Sequence, residues 1–264
     1  MSPTTDRQLQ KRAGALLLAR VGLVALVTVL MWLFAVILAP GSTFPPSMAL
    51  VTLGLVPVNV LSLLLVARFL HAEGERLRDL FIPASKGRLL RDIGWGILWI
   101  LVLYLPFAGA IAGAVWLLHG SLDAAAFESI FVDPEAVIAI PPGWSLVIGV
   151  LAVLTFAPIN APAEEALYRG YVQSRLVRTR GRAAAVLLSA AAFGLQHAFF
   201  APTAAAIPVF VIAFFVWGLG SSLIVLRQGR LLPVVVAHFA VNLFTSAPAV
   251  VIPALQLGGV LPES

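Results

Sequence analysis

The chain has 264 residues, of which 61% are hydrophobic and only 11% are charged, and its formal net charge is +5. It contains no cysteine, which excludes disulfides, thiol catalysis and cysteine-ligated metals. Several apolar runs reach about 20 residues, the length needed to cross the hydrocarbon core of a bilayer. Composition therefore predicts an all-α, polytopic membrane helical bundle in which residues 1–264 form a single integral membrane domain.

Hydropathy along the chain predicts seven transmembrane helices. The first is expected to be a retained helix, because it is too long for a signal-peptide core and lacks a cleavage site of small residues. The apolar tail at 248–260 has about 13 residues, too few for a simple crossing. It is expected to be re-entrant or interfacial, with an eighth transmembrane helix as the alternative. The predicted spans are 14–39, 47–70, 93–118, 144–168, 184–201, 207–226 and 231–247.

The charges are distributed unevenly between the two ends of these spans. All 17 basic residues are predicted to lie on one side, in the stretches Arg7 to Arg20, Arg68 to Arg91, Arg169 to Arg182 and Arg227 to Arg230. The loop at 120–143 has no basic residue and carries Asp123, Glu128, Asp133 and Glu135. The positive-inside rule predicts a cytoplasmic N-terminus in a cell (plasma or inner) membrane. The positive charge therefore reflects topology; the expected partner is the lipid bilayer, and nucleic acid is not expected.

The fourth span contains two prolines directly before a pair of glutamates. Pro158 and Pro162 flank Asn160, and Glu164 and Glu165 follow. Proline removes a backbone donor and clashes with the preceding turn, so a break with a new helix starting near Pro162 is predicted. Acidic residues are common in the first turn of a helix, so this feature alone does not indicate catalysis.

The two glutamates point in different directions on a helix. Glu165 and Arg169 are four residues apart and share a face, which predicts a structural ion pair. Glu164 is rotated by about 100° and is the carboxylate best placed to meet groups from other helices.

Two later spans each carry one histidine in an i, i+4 pair. His238 and Asn242 share a helical face and offer two hydrogen-bond donors, which suits a developing oxyanion. His197, four residues after Phe193, can relay a proton with a carboxylate-bound water. Either histidine alone could equally make an interhelical hydrogen bond. Two further histidines at span ends are interpreted as structural: His71 and His119.

Together the three motifs, Glu-Glu-x-x-x-Arg, Phe-x-x-x-His and His-x-x-x-Asn, resemble those of the CAAX-processing and bacteriocin-processing (CPBP or ABI) intramembrane proteases. The resemblance covers about residues 145–245. It implies that Glu164 and His197 activate water, and that His238 and Asn242 stabilise the oxyanion. It further implies supporting positions for Glu165, Arg169 and Phe193.

The sequence therefore predicts an intramembrane endopeptidase acting on membrane-associated peptides or proteins, such as CAAX-type tails or leader peptides, through a cavity open to the cytoplasm. A proton-coupled transporter and a non-catalytic immunity or scaffold protein remain as alternatives. A transporter is expected to carry polar residues in both halves. Here the site is predicted to be confined to the last four spans, which favours the peptidase.

The zinc alternative uses Glu164, His197 and His238 as three protein ligands. The chain lacks the His-Glu-x-x-His helix of common zinc proteases, and Asn242 is better suited to the oxyanion, so no cofactor is expected. The predicted depths of His197 and Glu164 in the membrane differ. His197 is predicted to lie about 20 Å into its span, whereas Glu164 lies nearer the basic edge.

Overall fold

The computed structural model describes residues 5–82, 85–132 and 141–261. It is 85% helical, and the described residues contain no strand. Among these residues, seven continuous helical segments are long and apolar enough to cross a membrane, which confirms the predicted fold class. In chain order the helices are α1 (Asp6–Leu38), α2 (Met48–Ala72), α3 (Lys86–His119), α4 (Ala124–Phe131), α5 (Pro142–Glu165), α6 (Ser174–Arg180), α7 (Arg182–Gln196), α8 (Ala206–Gln228), α9 (Leu232–Ser246) and α10 (Pro248–Leu257).

The apolar tail is part of the seventh span. α9 and α10 join through Ala247, which keeps helical backbone angles, and together they form one candidate span, Leu232–Leu257. Pro248 lacks the backbone donor that would make the joint regular. The expectation of a separate re-entrant segment or an eighth crossing is therefore wrong for the described residues.

The fourth span is one continuous helical rod from Pro142 to Arg180. α5 passes directly into a π-helical segment, Ala166–Gln173, and then into α6. The predicted break is wrong, because Pro158 and Pro162 both lie inside α5. Each proline costs the helix one backbone hydrogen bond, a loss that packing against neighbouring helices makes tolerable in a membrane bundle.

Because the fourth span is continuous, Glu164 and His197 lie at similar depths. After Glu165 the rod adds a π segment of 8 residues and an α6 of 7 residues, while α7 places 15 residues before His197. At about 1.5 Å per residue, both side chains lie roughly 20 Å from the basic ends of their helices. Glu164 and His197 can therefore meet at the same level.

Small residues allow close helix contacts around α5 and α3. A methyl group added at Gly149 would lie 1.9 Å from the carbonyl oxygen of Ala249, so α10 packs directly on the backbone of α5. A methyl group at Gly96 would lie 2.6 Å from Val236, so α3 packs closely on α9. Such small-residue contacts are the usual means by which helices associate in lipid.

The basic ends of α1, α2 and α6 are joined by Glu73. Its carboxylate accepts hydrogen bonds from Arg12 (2.9 Å), Tyr171 (2.6 Å) and Arg175 (2.7 Å). Burial raises the pKa of Glu73, but the hydrogen bonds from these three groups outweigh it and hold the pKa below its ordinary value of 4.5. The Glu73 carboxylate is thus ionised wherever this end of the bundle is folded at neutral pH.

Two arginines depart from the predicted charge distribution. Arg20 and Arg169 are each only 1% exposed and lie inside the bundle. The expectation that all 17 basic residues lie at one edge is therefore wrong for this pair. At the other end, Asp123 caps α4, whereas two acidic residues of the same loop lie outside the described residues: Asp133 and Glu135.

Candidate active site

Glu165 links two of the predicted motifs. Its Oε1 accepts a hydrogen bond from Arg169 Nη1 at 3.1 Å, which is the ion pair expected from their spacing. The same oxygen lies 2.9 Å from His238 Nδ1. Arg169 also donates to the carbonyl of Gly218 and covers the ring of Phe193, with 4.4 Å between the guanidinium carbon and the ring centroid. Glu165 therefore anchors α9 to the π segment.

Glu164 is buried, and its two oxygens have different surroundings. Oε1 accepts hydrogen bonds from Arg20 Nη2 (2.6 Å), Gln196 Nε2 (2.9 Å) and Asn160 Nδ2 (3.1 Å). Oε2 has no hydrogen-bond partner, and His238 Nε2 lies 3.7 Å away. One oxygen is thus fixed by three donors, while the other is buried without a hydrogen-bond partner.

Arg20 is a member of the site that the sequence interpretation missed. Besides Glu164, it donates to Gln196 (3.1 Å), Asn59 (2.8 Å) and Ser62 (3.1 Å). These contacts bring α1 and α2 into the polar centre, so the expectation that the site is confined to the last four spans is wrong. An arginine inside an apolar run was the available signal, because such a residue is costly without partners.

His197 is held by the end of its own helix. Its Nδ1 lies 2.7 Å from the carbonyl oxygen of Phe193, and its ring stacks on Phe214 with 3.5 Å between centroids. A carbonyl only accepts, so Nδ1 must carry the proton of this bond. In the neutral ring, Nε2 is then the nitrogen with a free lone pair.

His238 and Asn242 each donate one hydrogen bond to another side chain of the protein. Nδ1 of His238 donates to the Glu165 carboxylate, and Asn242 Nδ2 donates to Asn160 Oδ1 at 3.0 Å. Neutral His238 therefore presents an acceptor at Nε2, and only the protonated ring offers a second N–H there. Asn242 keeps one further amide hydrogen.

One cavity of about 190 Å³ brings four of the predicted residues together: Glu164, His197, His238 and Asn242. Its remaining walls are mainly apolar and include Phe156, Phe200, Phe210 and Phe214. Three predicted residues do not line it: Glu165, Arg169 and Phe193.

The position of this cavity contradicts one expectation. Its lining extends from Glu164 toward the start of α5 and from His238 to Ala249, away from the basic ends of the helices. The cavity was expected to open at the basic end. There, a separate cavity of about 620 Å³ is lined by Arg169, Gln173 and Arg230, and it shares no lining residue with the first. The physical reason is the length of the fourth span, which continues for 16 residues after Glu164 and so places this residue near the middle of the rod.

The zinc alternative can be compared with the geometry. Both histidines direct Nδ1–H at an oxygen, which is also usual for metal ligands. However, within 5–82, 85–132 and 141–261 no three His, Asp or Glu side chains are arranged to hold a metal ion. One oxygen of Glu164 is occupied by Arg20, whose positive charge would repel a nearby dication.

Comparison with known proteins bears on the last part of the chain. No curated protein and no solved structure matches it significantly. A family model described as Type II CAAX prenyl endopeptidase Rce1-like matches residues 143–244, a range that includes all three motifs. The matched segment contains both glutamates, both site histidines and Asn242. Over residues 143–244 the chain is therefore similar to the Rce1-like, CAAX-processing family of intramembrane proteases.

Proposed function

We propose that this multi-pass membrane protein is an intramembrane endopeptidase in which Glu164 and His197 activate water to hydrolyse a peptide bond of a membrane-associated substrate. The observation that carries the proposal is the unequal environment of the two Glu164 oxygens. Three donors fix Oε1, while Oε2 has no partner, and Glu164 lines the same cavity as both histidines. A positioned carboxylate with one free oxygen suits a general base.

In this proposal a water in the cavity gives a proton to Glu164 Oε2 as its oxygen attacks the scissile carbonyl. His197 Nε2 provides a second acceptor that can orient the same water. The proton then passes to the leaving nitrogen as the carbon–nitrogen bond breaks, which yields a carboxylic acid and an amine. Arg20 donates to Oε1 and so holds the carboxylate in place while Oε2 accepts the first proton.

His238 and Asn242 are proposed to stabilise the oxyanion. The ring of His238 lies between two carboxylates, 2.9 Å from Glu165 and 3.7 Å from Glu164. In its protonated form the ring donates Nδ1–H to Glu165 and can donate Nε2–H to the oxyanion. Glu165 and Arg169 act as positioning residues, because they hold this ring without lining the cavity.

The proposed reaction needs no metal. Support comes from the guanidinium on Glu164 and from the absence, among the described residues, of a three-ligand set. We expect activity to persist after exhaustive chelation, with no stoichiometric metal in the active protein. Stoichiometric zinc, with activity lost on its removal and regained on its return, would establish the alternative with Glu164, His197 and His238 as ligands.

The central experiment is cleavage of a library of membrane-tethered peptides by the purified protein. Glu164→Gln should abolish turnover without unfolding the bundle, because the amide keeps the shape but accepts no proton. Glu128→Gln, an exposed glutamate of α4, is the matched control and should cleave normally. Normal turnover in Glu164→Gln would refute the assigned base. A transporter or scaffold would cleave no peptide in either form; the family match favours the peptidase over both.

A further inference from the structure

The catalytic cavity lies in one half of the bundle. On every helix that lines it, the lining residues lie at the level of the glutamate and histidines or farther from the basic end. On α2 these are Thr52 and Leu55, near the start of a helix whose basic end is at Ala72. On α8 they are Phe210 and Phe214, and on α9 the lining continues through Ser246.

The other half of the bundle is closed beneath the site. Tyr168 is fully buried, Arg169 and Gln173 are each 1% exposed, and the largest apolar core packs around them. The cavity at the basic end stops at Arg169 and Gln173 and does not include Glu164 or either site histidine. The described residues therefore offer no open route from the basic end to Glu164.

The two halves of the bundle differ in their content of basic residues. The connections at 39–47, 120–141 and 201–205 and the segment 247–264 contain no lysine or arginine. The basic residues outside the bundle interior lie near the start of α1, from the end of α2 to the start of α3, from α6 to the start of α7, and from the end of α8 to the start of α9. By the positive-inside rule, the half that contains the cavity faces away from the cytoplasm.

We propose that substrate reaches Glu164 from the side of the membrane opposite the cytoplasm. The substrate class is then a membrane-tethered peptide segment exposed on that side, and a tail exposed in the cytoplasm is excluded. The proposal rests on the peptidase function, but the side from which the cavity is reached can be measured without any turnover.

The absence of native cysteine makes a direct test practical. Three single-cysteine variants are labelled with a membrane-impermeant maleimide, first in intact cells and then after the membrane is opened. Ser246→Cys reports the cavity, Ser129→Cys reports α4 at the non-basic end, and Arg178→Cys reports the basic end. We expect Ser246→Cys and Ser129→Cys to be labelled in intact cells, and Arg178→Cys only after opening.

Three results would contradict the access route. Labelling of Ser246→Cys only after the membrane is opened, with Ser129→Cys labelled in intact cells, would place access on the cytoplasmic side. Labelling of Arg178→Cys in intact cells and of Ser129→Cys only after opening would invert the topology. An unreactive Ser246→Cys in both conditions would also contradict an accessible cavity.

A second arm tests turnover with one peptide library fused to either end of a single transmembrane helix. We expect cleavage only when the peptides face away from the cytoplasm, and Glu164→Gln should remove it. Cleavage of the cytoplasmic fusion would overturn the access proposal. Cleavage of neither fusion would contradict the peptidase function, while the labelling would still decide the side of access.

Discussion

Replacing Arg20 with methionine tests whether the first helix holds the proposed base in place. Methionine keeps an unbranched apolar stem but removes four hydrogen bonds, to Glu164, Gln196, Asn59 and Ser62. Three of these partners keep another bond. Gln196 still accepts from a tyrosine hydroxyl, Asn59 lies 3.4 Å from an asparagine donor, and Ser62 donates to its own helix. Glu164 keeps its hydrogen bonds from Gln196 and Asn160 but loses its counterion, so the loss falls mainly on this carboxylate.

Leaving one partner of a buried ion pair uncompensated costs about 3–5 kcal/mol. At roughly 2–4 °C per kcal/mol for a chain of this size, Arg20→Met should lower the melting temperature by about 10 °C. The double variant Arg20→Met/Glu164→Gln removes both charges and should recover about half of that loss or more. Arg178→Met, which changes an exposed arginine whose side chain is 63% accessible, is the control and should stay within about 0.5 kcal/mol.

The assay is thermal unfolding of the purified protein in detergent, followed by helical circular dichroism, with peptide cleavage measured in parallel. Arg20→Met should lose activity at temperatures where it remains folded, because Oε1 of Glu164 loses its shortest hydrogen bond and its cation. An Arg20→Met protein that melts with the parent would refute the argument. So would a double variant that is no more stable than the single one.

Three further predictions concern other contacts. Arg169→Ala should lower both thermal stability and turnover, because it leaves Glu165 without its cation; an unchanged melting curve would contradict the ion pair. Gly149→Ala should destabilise the protein through its clash with α10, whereas Gly109→Ala, with nothing within 4 Å of the added methyl, should not. The depressed pKa of Glu73 predicts stabilisation that is complete above about pH 4.5 and is lost as the pH falls through the folded value. Glu73→Gln should remove this part of the acid dependence of the melting temperature, and an unchanged acid profile would argue against the network.

The sequence was sufficient for the spans because apolar length is a one-dimensional property. Spacing of four residues also predicted which side chains share a face, as the contact between Glu165 and Arg169 shows. It could not predict the π segment or the helical prolines, since both depend on neighbouring helices that satisfy the backbone. This error shortened the fourth span, misplaced Glu164 in depth and suggested a cavity at the basic end.

Contacts between residues far apart in the sequence were the second feature that could not be predicted from it. Glu164 and Arg20 are separated by 144 residues, and no motif of either predicts the other. Asn160 was noticed only as a residue between two prolines, although its amide bridges Glu164 and Asn242. The tautomers of the histidines likewise follow from partners on other helices, so the donors available to substrate could be assigned only from the structure.

The contact between Arg20 and Glu164 also has a consequence for the order in which the chain enters the membrane. α1 is synthesised first, and an arginine in an isolated apolar helix costs about 2.5–3.5 kcal/mol on insertion scales. Asn59 and Ser62 follow 39 and 42 residues later and are the first groups that can share the guanidinium. At roughly 5–20 residues per second, Glu164 emerges about 7–30 s after Arg20. The α1–α2 hairpin therefore has to stabilise the Arg20 guanidinium until Glu164 is synthesised. A fragment limited to residues 143–244 would insert Glu164 without Arg20.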